Sequence, residues 1–369
     1  MAGPTHSDRF GAEGVTSPVR MSEKIAIIGA GLSGLAAAFK LKEFGKEVCV
    51  FEKSKGLSGR AASRTRKGCR YDYGANYFTV ESNEVAHLLF QTLPTEGLCR
   101  IVGGIHPFDL TGKISAGEPQ RNSAARWTYR EGISTIGKRM VETGGLKVMT
   151  ETRISRLKRT RGKWQLETEG GAAFDDFDAV LITTPGPQTI DLLEASDLDR
   201  TVCDPTVNEL KRAEFVCQFT VILNFPGPIP LPGDGYALIN SDRLHDIAWI
   251  SHENRKPGHV PEGESLFIVQ MSPAWSHHHF NRPVDEVIAM ALTRTADLLG
   301  INLPPPNWAD VQRWRYAHPV SAADQCSLKP VSAFRLFFAG DTFVGKGRVP
   351  AVIESGMAAA SQIIAHFRE

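Results

Sequence analysis

Paired cysteines are missing from this chain. Cys49, Cys69, Cys99, Cys203, Cys217 and Cys326 are scattered without C-x-x-C spacing, which supplies neither a disulfide framework nor a zinc site and fits reduced thiols in the cytoplasm. A charge bias is missing too. With 42 Lys and Arg against 41 Asp and Glu, the formal net charge is +1, so electrostatics give no reason to expect nucleic acid or an anionic membrane as partner. No apolar run approaches the roughly 20 residues that span a bilayer. Residues 1–20 lack the apolar core of a secretory signal, and Asp8 and Glu13 argue against an acid-poor transit peptide. They read as a disordered leader or an appended extension, with Met21 as a natural start. Catalytic and metal signatures of the common kinds are also absent. The triplet His277-His278-His279 points its rings in different directions and has no acidic partner at a metal-site spacing, so no metal is expected. No Ser-His-Asp or Cys-His arrangement stands in a recognisable local context.

What the chain does have is length and a nucleotide signature. Its 369 residues, 42% hydrophobic, suffice for two domains sharing a cleft. Residues 24–28 form a short β-branched run, as in a strand buried on both faces. Gly29-Ala30-Gly31-Leu32-Ser33-Gly34 follows, then a helical stretch over 35–44 and a second strand over 48–51. This is a βαβ unit carrying G-x-G-x-x-G. In that motif glycine permits the tight turn, lets the backbone approach a pyrophosphate and allows helix and strand to pack closely. The helix N-terminus offers its free N–H groups to the phosphates. Gly29, Gly31, Ser33 and Gly34 are therefore candidate cofactor residues. Glu52, at the end of the second strand, is placed to accept hydrogen bonds from ribose hydroxyls. An acid there repels a 2′-phosphate, which suits FAD or NAD and disfavours NADP.

Further along, helices are expected over 84–93, 133–143, 284–299 and 352–367. Strands are expected over 178–183, 215–225, 265–271 and 336–339, with a hairpin over 153–167. There is one dinucleotide fingerprint, and strand-rich sequence lies between its βαβ unit and the C-terminal strand and helix.

Three segments separate FAD from NAD by resemblance. Gly56-Leu57-Ser58-Gly59-Arg60-Ala61-Ala62-Ser63 resembles the second glycine segment of the FAD-binding amine-oxidase and hydroxylase superfamily, whose Arg approaches the phosphates. Asp72-Tyr73-Gly74-Ala75-Asn76-Tyr77-Phe78-Thr79 resembles the segment that passes the flavin ring. Phe338-Ala339-Gly340-Asp341 resembles the late strand whose Asp bonds the ribityl chain. A helix beginning near Pro350-Ala351 would aim its N-terminus at the flavin pyrimidine edge, where negative charge gathers on reduction. The resemblance thus implies an FAD site made also of Lys53, Gly59, Arg60, Gly74, Ala75, Asn76, Tyr77, Phe78, Thr184, Gly340, Asp341, Val349, Pro350 and Ala351. The implied fold is α/β: a Rossmann-type FAD-binding domain over 21–82, 130–190 and 328–369. Interleaved with it is an α+β substrate domain, built on an antiparallel sheet, over 83–129 and 191–327.

Within that superfamily the chain resembles the renalases, particularly the bacterial ones, over nearly all of residues 23–367. The resemblance rests on Phe51-Glu52-Lys53-Ser54-Lys55-Gly56, Asn254-Arg255-Lys256-Pro257-Gly258, Trp275-Ser276, Arg313-Trp314-Arg315-Tyr316-Ala317 and Gly347-Arg348-Val349. It implies oxidation of mis-reduced dihydronicotinamides, with the hydride at ring carbon 2 or 6, to NAD(P)+, and reoxidation by molecular oxygen to hydrogen peroxide. Such a reaction needs two rings positioned and water excluded, with few catalytic side chains. Trp314 and Tyr236 match aromatic positions near the flavin. Gln270 stands where renalases carry a histidine. Glutamine carries neither a proton nor a charge, so substrate contacts differ there. A second expectation on fold analogy is another flavin oxidase, an amine oxidase or desaturase type, and a third is a non-catalytic FAD-binding protein.

Overall fold

The computed structural model describes residues 22–368; the leader expected over 1–20 lies outside them. Strand β1 (Lys24–Ile28), helix α1 (Leu32–Glu43) and strand β2 (Glu47–Phe51) build the nucleus of the first layer. They belong to a five-stranded parallel sheet in the order Leu336–Phe338, Ala179–Ile182, β1, β2, Lys147–Met149.

Both faces of this sheet are covered, which is why β1 reads as an unbroken apolar run. Ile25 and Ile27 pack against α1 and the helices Thr135–Gly144 and Val349–His366. Ala26 and Ile28 point the other way, toward the three-stranded sheet of Ile154–Thr160, Lys163–Thr168 and Ala173–Phe177. Helix α1 is buried almost all round, and its run Ala36-Ala37-Ala38 lets neighbours approach closely. At the closest point Gly356 lies on Ser33, where an added Cβ would stand 2.0 Å from the Ser33 carbonyl oxygen.

The second layer is a six-stranded sheet. Its order is Trp308–Pro319, Phe215–Pro226, Glu264–Met271, Ile247–His252, Ala237–Asn240, Ile105–Phe108, antiparallel except for the last pair. Period-two alternation divides its two faces. Phe219, Val221, Leu223, Phe267, Val269 and Met271 pack under the helix Val284–Leu299. The intervening residues face the first layer. Ile222, Leu266 and Ile268 are covered there by Cys69, Tyr71 and Trp308, whereas Gln218 and Gln270 look into a cleft.

The α/β class, with a doubly covered parallel sheet and a separate antiparallel one, is as the sequence implied. Packing redraws the sequence boundaries in two places. Helix Arg200–Leu210, assigned from sequence to the second unit, packs through Cys203, Val207 and Leu210 against the parallel sheet. The hairpin Ser63–Arg66 and Cys69–Asp72, assigned to the first unit, buries its apolar side against the antiparallel sheet. The helix expected over 84–93 is an α-turn, Asn83–His87, running into a π-helical turn, Leu88–Thr92. No helix among the described residues is long and apolar enough to cross a membrane.

Candidate active site

The turn after β1 is shaped by what its glycines exclude. Gly29 has φ of 109°, and a Cβ on it would lie 2.7 Å from Thr183 Oγ1. One on Gly34 would lie 2.0 Å from the Gly29 carbonyl oxygen. Those two glycines permit strand and helix to touch. Gly31 is different: its Cβ direction meets no atom within 4 Å. It is the N-cap of α1 and offers no side-chain cap, so the first-turn N–H groups are left for a ligand. Ser33 Oγ, buried in that turn, has no hydrogen-bond partner among the described residues. A cradle that is open at Gly31 and bordered by the first turn of α1 fits a pyrophosphate.

Glu52 is 9% exposed. It accepts from Ala30 N–H at 2.9 Å and Ser54 N–H at 2.8 Å, which fixes the carboxylate on the rim of the cradle. Each oxygen keeps a lone pair for a ribose hydroxyl. Lys53 Nζ reaches Gln188 Oε1 at 3.0 Å beside Thr184 and Pro185. Arg60 makes a fork to Asp341, with contacts of 2.7 and 2.8 Å, and also donates to the carbonyls of Tyr316 and Ala317. The two residues assigned from sequence to the phosphate and the ribityl chain are thus side by side.

One cavity of about 1040 Å³ joins these groups, at the upper end of the range for small-molecule sites. Its walls include Gly29, Gly31, Ser33, Glu52, Lys53, Gly59, Arg60, Gly74, Ala75, Asn76, Tyr77, Phe78, Thr184, Gly340, Asp341, Val349 and Pro350. Gly34 and Ala351 are not among the lining residues, and Gly34 packs on Gly29. Helix Val349–His366 starts at the cavity. His318 lines it as well; burial, then the nearby Arg60, holds its imidazole below the usual histidine range.

At the far end, the cavity meets the antiparallel sheet. Thr220 pairs with Gln270 on one side and with Gln312 on the other, Gln218 pairs with Trp314, and Trp249 pairs with Gln270. These side chains share a face. Trp314 donates Nε1–H to Thr220 Oγ1 at 3.2 Å and stacks on Tyr73 at 5.6 Å with rings 18° apart. Gln270 Nε2 donates to the Gly74 carbonyl at 2.8 Å, so the glutamine does face this site. Tyr236 is fully buried one layer back, its hydroxyl donating to the Asn76 carbonyl at 3.3 Å. Trp249 and Tyr77, 6.1 Å apart, line the cavity in front of it. Sequence reading passed over Trp249 and Gln218 because it did not place the strand Ile247–His252 or divide the faces of Phe215–Pro226.

Behind the segment 72–76 stands a buried charge cluster. Lys256 Nζ lies 2.9 Å from Asp72 Oδ2 and 2.8 Å from Glu253 Oε1, and His259 Nδ1 lies 2.9 Å from Glu253 Oε2. His259 Nε2 faces the Tyr129 carbonyl at 2.9 Å. Asp72 also accepts from Ser63 Oγ, Thr128 Oγ1 and Ile133 N–H. Burial alone would raise the Asp72 carboxyl, but Lys256 and His259 outweigh it and hold it below the usual range. Burial likewise opposes the Lys256 charge, and Asp72 and Glu253 outweigh it, raising that ammonium. Asp72, Glu253 and His259 would suit a cation by spacing; Asp72 and Glu253 hold the Lys256 ammonium instead.

Residues 27–93 match the NAD(P)-binding Rossmann-like domain, and residues 95–364 match the family described as flavin containing amine oxidoreductase. Protoporphyrinogen oxidase 2 of Arabidopsis thaliana is 45% identical over 67 residues, which is 18% of this chain and 13% of that enzyme. So short a match leaves that enzyme's own activity out of the comparison. Among solved structures, cyclohexylamine oxidase from Brevibacterium oxydans superposes with a TM-score of 0.73 at 12% identity, over 95% of this chain and 100% of that one. Reduced UDP-galactopyranose mutase does so with a TM-score of 0.76 at 12% identity, over 95% of each chain. These likenesses establish the fold. Since the second family match runs over most of the chain, the protein belongs to the flavin containing amine oxidoreductases and is an FAD-dependent oxidoreductase.

Proposed function

We propose that the protein is a renalase-like oxidase of dihydronicotinamide isomers carrying the hydride at ring carbon 2 or 6. The observation that carries this reading is the make-up of the cavity wall on the antiparallel sheet. Gln218, Trp249, Gln270, Gln312 and Trp314 stand there with Arg243 beside them, and no carboxylate is among them. The carboxylates that line the cavity are Glu52, Glu169, Asp191 and Asp341. Of these, Glu52 and Asp341 belong to the cofactor cradle.

Such a wall suits a donor that needs no proton removed. Bound FAD would supply the acceptor for the hydride, and oxygen would take up both electrons and two protons as hydrogen peroxide, leaving the substrate as NAD(P)+. The ring nitrogen lone pair drives hydride loss, so the chain's task is placement. Trp314 and Trp249 offer flat faces for a ring, and Arg243, which lines the cavity, favours a ligand with a pyrophosphate over a cationic amine. The aromatic faces alone would also attract an ammonium, which keeps the amine-oxidase reading as the alternative.

Steady-state oxygen uptake separates the two. With carbon-2 or carbon-6 isomers, the FAD-loaded protein consumes oxygen and yields one peroxide per nicotinamide oxidised, and amines give neither. Trp314→Ala keeps its FAD and binds the isomers more weakly by about 1–3 kcal/mol, by analogy with base stacking on aromatics. Oxygen uptake with a primary or secondary amine and none with the isomers would replace this reading with the amine-oxidase one.

A further inference from the structure

Gln270 lines the cavity from the antiparallel sheet, and its surroundings decide which of its atoms meets a ligand. The Gly74 carbonyl oxygen accepts only, so the amide group 2.8 Å from it is the NH2 of Gln270. Oε1 is then the other end. It has no hydrogen-bond partner among the described residues and is not sealed off by neighbours, and Gln270 lines the cavity. Gln218, one row along the same sheet face, is wired alike: its Nε2 donates to the Met271 carbonyl at 2.9 Å. A Cβ on Gly74 would lie 3.4 Å from the Trp314 ring, so Gln270 and Trp314 flank the same residue. The ring slot thus has an indole on one side and an anchored amide oxygen at its edge.

We propose, on the dihydronicotinamide reading, that Gln270 is a specificity-determining residue whose Oε1 accepts a hydrogen bond from the N–H of the substrate's ring carboxamide. The backbone anchor at Gly74 stops the amide from flipping to suit another ligand. A histidine in this place would present a donor or a charge according to its protonation. The anchored glutamine presents a neutral acceptor at every pH. A ring bearing a carboxamide satisfies it. A ring bearing a group of the same shape without N–H buries that oxygen unpaired, and an unsatisfied buried acceptor weakens binding on the order of tenfold.

The experiment titrates the FAD-loaded protein with oxidised nicotinamide adenine dinucleotide and with its 3-acetylpyridine analogue, in which a neutral methyl ketone replaces the carboxamide. Perturbation of the flavin spectrum reports binding. Wild type binds the carboxamide on the order of tenfold more tightly, and in Gln270→Met that preference falls to within about twofold. Equal binding of the two by wild type overturns the proposal, and so does an undiminished preference in a folded, flavin-loaded Gln270→Met. If that variant does not fold, the wild-type comparison decides alone. Anaerobic flavin reduction by the carbon-2 and carbon-6 isomers is measured in parallel. Reduction without a carboxamide preference removes only the role of Gln270, whereas absence of reduction removes the dihydronicotinamide reading and this proposal with it.

Discussion

At the scale of single residues, the dinucleotide turn separates glycines that serve the fold from one that serves the ligand. Gly34→Ala would drive a methyl group to 2.0 Å from the Gly29 carbonyl oxygen, so this variant is expected to lose the βαβ packing and to be recovered unfolded or aggregated. Gly31→Ala meets no protein atom within 4 Å. It is expected to fold with a circular dichroism spectrum like wild type and to bind FAD at least tenfold more weakly, because its methyl occupies the path of the pyrophosphate. Full FAD retention by Gly31→Ala would displace the phosphates from that turn. These residues were legible in the sequence because the G-x-G-x-x-G spacing encodes a local turn. The far wall was not. Trp249 and Gln218 reach the cavity through strand pairing with residues distant in the chain, and a lone sequence marks neither their register nor their face.

At the scale of elements, the first layer depends on one close helix crossing. The glycine of Ser355-Gly356 carries no side chain where Val349–His366 meets α1, and a Cβ there would stand 2.0 Å from backbone. Gly356→Ala is expected to cost about 3 kcal/mol, the upper end for over-packing, because backbone cannot yield as a rotamer can. The same helix starts at the cavity, so its FAD should be released at lower urea than in wild type. Urea denaturation followed by far-ultraviolet dichroism and flavin fluorescence checks both. An unchanged midpoint would show that the two helices part without penalty. Most elements could be read from their own patterns: β1 and β2 from apolar runs, and Val284–Leu299 from its amphipathic period. The strand Trp308–Pro319 escaped, since Gln312, Trp314 and His318 are amide or polar-tipped groups that line the cavity, and the charged Asp310, Arg313 and Arg315 break up what remains of an apolar pattern. Function there overrides the alternation that marks a strand.

At the scale of the whole molecule, the two layers are tied by the buried cluster of Asp72, Glu253, Lys256 and His259, which links the hairpin Cys69–Asp72, Trp127–Tyr129 and the turn before Glu264–Met271. Asp72 is depressed, so its share of stability is present above the ordinary carboxylate range and is lost as pH falls through its lowered value. Lys256 is raised, so its share is present below the ordinary lysine range and is lost as pH rises through its raised value. Wild-type stability should therefore be level between about pH 5 and pH 9 as far as this pair contributes. Lys256→Met leaves two carboxylates without their ammonium and should cost about 3–5 kcal/mol at pH 7. The gap to wild type should narrow toward pH 5, because buried carboxylates lacking a cation bind protons more readily folded than unfolded. A gap that stays constant with pH would mean that the cluster acts by packing alone. The layer that this cluster holds in place is the one that presents the substrate wall, and the central claim concerns what that wall accepts. The most direct measurement is a single anaerobic turnover, in which FAD-loaded protein is mixed with a carbon-2 or carbon-6 dihydronicotinamide isomer and, separately, with ordinary NADPH, while the flavin absorbance is followed. The isomers should bleach the flavin within one turnover with an equal amount of oxidised nicotinamide released, and ordinary NADPH at micromolar concentration should leave it yellow. Rapid bleaching by ordinary NADPH, or by an amine with the isomers inert, would contradict the account.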